Sequence, residues 1–149
     1  MKWVAIGVAV LAGLVVVAAI VGAILPRQHL ASRTLRVQRT PQDIWPVVTR
    51  LADASSVPVE VVESAPPHRL VTRVTAAEKN FGGTWTITIA PAAEGPGQQS
   101  TVTITEDGWV ANPIFRFMSR LVLGHHATMD ALLTQVARRF NEAPALSGE

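Results

Sequence analysis

The chain contains no cysteine, which removes disulfides, thiolate metal sites and thiol catalysis together. The same absence leaves the compartment open, because a cysteine-free chain suits either side of a bacterial-type membrane. Clustered positive charge is also missing. The net charge is only +2, and Lys2 is the sole charged residue before Arg27, so the rest of the chain is close to neutral. Phosphate recognition needs a concentrated cationic face, and nucleic acid is therefore not an expected partner. No Ser-His-Asp spacing, glycine-rich phosphate loop or nucleophile elbow can be read. The sequence accordingly assigns no catalytic residue and no cofactor.

One further absence is positive information. From Trp3 to Leu25 there is no Asp, Glu, Lys or Arg, and as a helix this run is long enough to cross about 30 Å of hydrocarbon. Val21-Gly22-Ala23 offers the small residue wanted before a signal-peptide cleavage site, but the run exceeds the roughly 7 to 15 residues of a signal core. Residues 1–25 are read as a retained transmembrane anchor, with the membrane as partner through residues 3–25. Arg27, Arg33, Arg36 and Arg39 all precede the first acid, Asp43. By the positive-inside tendency this places the anchor in a cytoplasmic membrane with the C-terminal domain on the cytoplasmic side. Residues 26–29 make a short linker that would hold the domain, residues 30–141, against the headgroups. Residues 142–149 read as a flexible tail.

Within the domain, Leu30 to Arg39 alternates as a first strand. Thr40-Pro41-Gln42-Asp43 is a helix start, with a capping hydroxyl, proline at the first position and an acid in the first turn. Ile44, Val47, Val48 and Leu51 follow at helical spacing, and Pro46 predicts a kink or a late start. Val59 to Glu63 and Leu70 to Thr75 are strand-like runs around Ala65-Pro66-Pro67. Residues 76–83 read as a polar loop ending in a reversal at Gly82-Gly83. The clearest signal is a hairpin. Trp85, Ile87 and Ile89 alternate with threonines, as do Val102 and Ile104, which gives an antiparallel pair with one dry and one wet face.

A turn is expected at Asp107-Gly108, followed by one long helix from Pro113 to Phe140 that Asn112 caps. Ile114, Met118, Leu121, His125, Met129, Leu132, Val136 and Phe140 recur at three- and four-residue steps along it. The expected class is α+β, an antiparallel sheet curled around a long C-terminal helix and preceded by one transmembrane helix.

Four segments carry a family likeness: Pro67-His68-Arg69-Leu70-Val71, Phe81-Gly82-Gly83-Thr84-Trp85, Ile104-Thr105-Glu106-Asp107-Gly108, and Asn112 to Arg120 with Gly124-His125. Together with the element order they resemble small bacterial SRPBCC-type proteins of the START-like superfamily, over residues 30–141. That superfamily includes pollen-allergen proteins, polyketide cyclases and lipid-transfer domains. The resemblance implies a helix-grip fold with a cavity between sheet and helix for a small hydrophobic ligand or lipid. It departs in one respect: the chain is short between Leu51 and Val59, where such folds carry a second helix and further strands.

The candidate cavity lining is Phe81, Trp85, Ile87, Ile104, Trp109, Phe115, Met118 and His125, since ligand pockets are mostly apolar with few polar anchors. Simple core filling by the same residues is the plainer alternative. Arg116 and Arg120, one turn apart in an apolar stretch, are candidate contacts to anionic headgroups. His126 and Asp130 have ligand-like spacing, but no further acid or histidine completes a metal set, so no metal is assigned. Glu106 and Asp107 read as turn acids. Three functions remain in view: non-catalytic binding of a small hydrophobic ligand, a membrane-proximal interaction module, and a cyclase-like enzyme. The sequence sets no oligomeric state.

Overall fold

The computed structural model describes residues 1–54, 57–75, 81–92, 98–123 and 126–148. In chain order the elements are α1 (Lys2–Ile24), β1 (Gln28–Val37), α2 (Pro41–Asp53), β2 (Val59–Ala65), β3 (Arg69–Val74), β4 (Phe81–Pro91), β5 (Ser100–Val110), α3 (Pro113–Met118), a π-helical segment (Ser119–Leu123), α4 (Ala127–Arg139) and β6 (Leu146–Ser147). The strands form one six-stranded sheet in the order β2-β3-β4-β5-β1-β6. Every neighbouring pair is antiparallel.

The threonine-edged hairpin sets the register. Ile87 stands opposite Ile104 and Ile89 opposite Val102, because a one-residue slip would turn the isoleucines to water and the threonines inward. β1 extends the same dry face, with Leu35 opposite Val102 and Ala31 opposite Glu106. Leu35, Ile87, Ile89, Val102 and Ile104 are fully buried there beneath Ile44 and Val48 of α2 and Met129, Leu133 and Val136 of α4. Each such side chain contributes about 1.5–3 kcal/mol by leaving water, so this face is the stabilising centre of the fold.

The start of α2 forms as its sequence requires. Thr40 Oγ1 accepts from the Asp43 amide at 3.2 Å, and the Asp43 carboxylate in turn accepts from the Thr40 amide. The helix nevertheless runs on through Pro46 as one element. Gln42, whose carbonyl loses its partner to the proline, is exposed to water, and the Thr49 hydroxyl donates to the Trp45 carbonyl at 3.0 Å.

Several boundaries differ from the sequence reading. The single C-terminal helix is three pieces. Asn112 caps the start as expected, its Oδ1 accepting from the amides of Ile114 at 2.9 Å and Phe115 at 3.2 Å, but only α4 lies on the sheet. Met129 and Val136 are buried, Leu132 and Phe140 pack on the core, and Ile114, Met118 and Leu121 are exposed. Helical periodicity identifies an apolar stripe without saying what covers it.

There is no turn at Asp107-Gly108. β5 continues to Val110 because β1 begins at Gln28, two residues before the expected strand start, and pairs Gln28 with Trp109. Phe81-Gly82-Gly83 likewise belongs to β4, pairing with Val110, Trp109 and Gly108. Residues 76–80 of the expected loop lie outside the described residues. The expected tail returns to the sheet, where Leu146 pairs with Leu35. It is held by the Glu142 carboxylate, which accepts from the Gln38 amide at 3.0 Å.

Candidate ligand-binding cavity

A cavity of about 520 Å³ lies between the sheet and the two covering helices. Its floor is the inner face of β3 and β4 through Thr72, Gly83, Trp85 and Ile87, with Glu106 from β5. Its roof is α4 through Thr128, Ala131, Leu132 and Gln135, and the end of α2 and the chain after it close one side with Leu51, Ala52, Ala54, Val57 and Val59. The short connection between α2 and β2 therefore contributes to the cavity wall through Ala54 and Val57. The volume lies within the range of roughly 300–1,000 Å³ usual for small-molecule sites.

Strand parity explains which side chains face inward. Thr72, Trp85, Glu106 and Ala31 form one cross-sheet row, since Thr72 pairs with Trp85, Trp85 with Glu106 and Glu106 with Ala31. Glu106 shares the even-numbered face of Val102 and Ile104, so a carboxylate stands where the hairpin pattern otherwise places apolar groups. It is partnered by His29, whose Nε2 lies 3.2 Å from Glu106 Oε1. His29 reaches it from β1 by lying over Gly108, where a Cβ would collide with the imidazole. Glu106 and His29 were expected in a turn and a linker respectively. Extending the alternation two residues past Ile104 is the signal that would have placed Glu106 on the dry face.

Of the expected lining residues, Phe81, Trp85 and Ile87 border the cavity. Ile104 is fully buried in the core beside it. Trp109 is on the outer face of the sheet, its indole over Gly82. Phe115 and Met118 are exposed on α3, and His125 lies outside the described residues. Leu51, Leu132, Thr72 and Gln135 are wall residues that the sequence did not single out.

Arg116 is buried rather than facing headgroups. Its Nη1 donates to the Leu25 carbonyl at 2.8 Å and its Nη2 to the Ala111 carbonyl at 3.0 Å. Arg120 is exposed. Asp130 is engaged by Arg33, with Nε to Oδ1 at 2.9 Å and Nη2 to Oδ2 at 3.2 Å. A carboxylate in an ion pair with a guanidinium that also donates it a hydrogen bond is already committed. Among the described residues no group of three or more His, Asp or Glu is placed to hold a metal.

No protein-family model matches the chain, and no curated protein matches it by sequence. Solved structures do. A conserved protein from Geobacillus kaustophilus is similar with a TM-score of 0.57 at 11% identity, covering 79% of this chain and 99% of that one. A protein from Chromobacterium violaceum is similar with a TM-score of 0.50 at 16% identity, covering 80% and 100%. The fold is the helix-grip fold. Likeness at such identities defines architecture, while function rests on the site itself. Ahead of the helix-grip domain, α1 is long and apolar enough to cross a membrane, and its side chains are exposed along almost the whole helix.

Proposed function

We propose that this protein is a membrane-anchored binding protein for a small hydrophobic ligand, possessing an apolar body and one hydrogen-bond-donating or cationic group. The observation that carries the reading is the cavity of about 520 Å³, walled by Leu51, Val59, Phe81, Trp85, Ile87 and Leu132 with the Glu106 carboxylate among them. Apolar walls supply affinity and the single carboxylate supplies orientation. A lipid fits this description, and α1 as an anchor would hold the domain where lipids are concentrated.

The test is native mass spectrometry of the detergent-extracted full-length protein. A co-purifying lipid or apolar metabolite is expected, and it should be lost on Thr72→Trp, which fills the cavity from its floor. Repeatedly empty spectra of the unaltered protein would count against binding. A second reading, a cyclase-like enzyme, draws on the Glu106–His29 contact, which supplies a carboxylate and an imidazole for proton transfer at the cavity wall. Binding alone returns the ligand with unchanged mass. Cyclisation by proton transfer returns an isomer of the same mass but different chromatographic retention, or a product lighter by one water where elimination of the new hydroxyl follows, and Glu106→Gln should abolish the change.

A further inference from the structure

The segment from Pro113 to Leu121 has its polarity inverted for a domain bathed in water. Four of its large apolar side chains are exposed, with Ile114 at 40%, Phe115 at 61%, Met118 at 37% and Leu121 at 60%, while Phe117 is half-buried and the one charged residue of α3, Arg116, is 6% exposed. A surface helix of a soluble domain does the reverse, and contiguous exposed apolar groups mark a contact surface.

What this surface lies against follows from how α3 is attached. α3 packs on the C-terminal end of α1, where the Pro113 carbonyl sits so close to Gly22 that no side chain fits between them. Arg116 then bonds the Leu25 carbonyl at the very end of α1. These contacts fix α3 at the level where the apolar helix stops. Other exposed groups gather at this end of the domain. Leu30 and Trp109 are exposed on β1 and β5, two rows apart on the same face of the sheet. Arg27 and Arg120, both exposed, flank a shallow depression that also contains Leu25 and Arg116.

We infer that Pro113–Leu121 is an interfacial element lying in the boundary between lipid headgroups and acyl chains, with Ile114, Phe115, Met118 and Leu121 among the chains and Arg27 and Arg120 at lipid phosphates. The inference rests on reading α1 as a membrane span, because a helix tied to the end of a span is held at the depth where amphipathic helices partition. Cations at that level meet the anionic surface of the bilayer. The domain is then held at two points, the span and the α3 face, which fixes its orientation to the membrane instead of leaving it free on a stalk. Gly83 of the cavity floor shares a cross-sheet row with Gly108 and His29 at the same end of the sheet, so one edge of the binding site is kept near the lipid surface.

The absence of native cysteine makes the test direct. Single cysteines at Phe115, Leu121, Leu11 and Arg50 are spin-labelled in the full-length protein, each reconstituted in nanodiscs of phosphatidylcholine and phosphatidylglycerol. Accessibility to oxygen and to a water-soluble nickel chelate is then measured. All four positions are exposed, so the labels need displace no core, and the Phe115 and Leu121 variants are independent readouts. The expected result is that labels at Phe115 and Leu121 fall between the other two, more shielded from nickel than the one at Arg50 and poorer in oxygen than the mid-span label at Leu11, as a depth of about 5–10 Å requires. Nickel access at Phe115 and Leu121 equal to that at Arg50, with Leu11 still shielded, overturns the interfacial element and leaves the anchor standing. Nickel access at Leu11 overturns the anchor and this inference with it.

Discussion

His29 Nε2 and Glu106 Oε1 meet at 3.2 Å across neighbouring strands, although the two residues are 77 positions apart in the chain. The contact fixes the one carboxylate among the described lining residues of a cavity whose other polar groups, Thr72, Thr128 and Gln135, are uncharged. A ligand with a cationic head can donate a charge-assisted hydrogen bond to that carboxylate, while an anionic head is repelled. Full-length protein should therefore bind dodecylamine more tightly than dodecanoate, by about tenfold or more given roughly 1.5–3 kcal/mol for such a bond. Glu106→Gln should remove most of the preference. Quenching of the cavity tryptophan, Trp85, is the readout, and equal affinities in the unaltered protein would refute the assignment.

Gly83 has φ +152°, and a Cβ there would strike the Asp107 carbonyl. That is a backbone conformation L side chains rarely adopt. Gly83→Ala should lower stability by more than the roughly 1 kcal/mol typical of a point substitution. It should also weaken ligand binding, because Gly83 is part of the cavity floor. Thermal unfolding and the same quenching titration check the two effects.

Leu133 is fully buried between α4 and the sheet but does not border the cavity. Leu133→Ala should cost about 2–5 kcal/mol through lost transfer energy and the space left behind, seen as a lower denaturant midpoint. Ligand affinity measured well below that midpoint should be unchanged.

Arg116 satisfies the Leu25 and Ala111 carbonyls from a buried position. Arg116→Met leaves both without a donor and should destabilise the junction of α1 and α3 by about 2–4 kcal/mol, since bonds to charged groups contribute about 1.5–3 kcal/mol each. Limited proteolysis near residues 25–30 should accelerate in this variant. Arg116→Lys should restore one bond at most, lacking the planar fork.

Thr40 and Asp43 cap α2 reciprocally. Thr40→Ala should lower stability by about 1 kcal/mol, with little effect on a cavity that α2 lines only at its far end. Chemical denaturation of the variant tests this.

The local grammar of the chain is legible residue by residue. The alternation of Trp85, Ile87 and Ile89 with threonine predicts the hairpin and its dry face, Thr40-Pro41 and Asn112-Pro113 predict two helix starts, and the charge-free run of Trp3 to Leu25 predicts α1. These signals work because capping, strand parity and uninterrupted hydrophobicity involve neighbouring residues only. Pro46 did not delay the helix, which starts at Pro41 and includes it, because Gln42, whose carbonyl loses its partner, is an exposed residue.

The site was only partly legible, for the complementary reason. Trp85 and Ile87 could be placed by parity, but Phe81 was read in a loop, and Trp109, Phe115 and Met118 carry the same composition and face elsewhere. Which apolar stripe covers which face depends on long-range pairing: β1 beside β5 brings His29 to Glu106, and α1 against α3 draws Arg116 inward and leaves Phe115 outside. The sequence by itself determined the elements, because their energies are summed over adjacent residues. Only the tertiary structure decided the cavity and its carboxylate, because those arise where segments distant in the chain exclude water from one another.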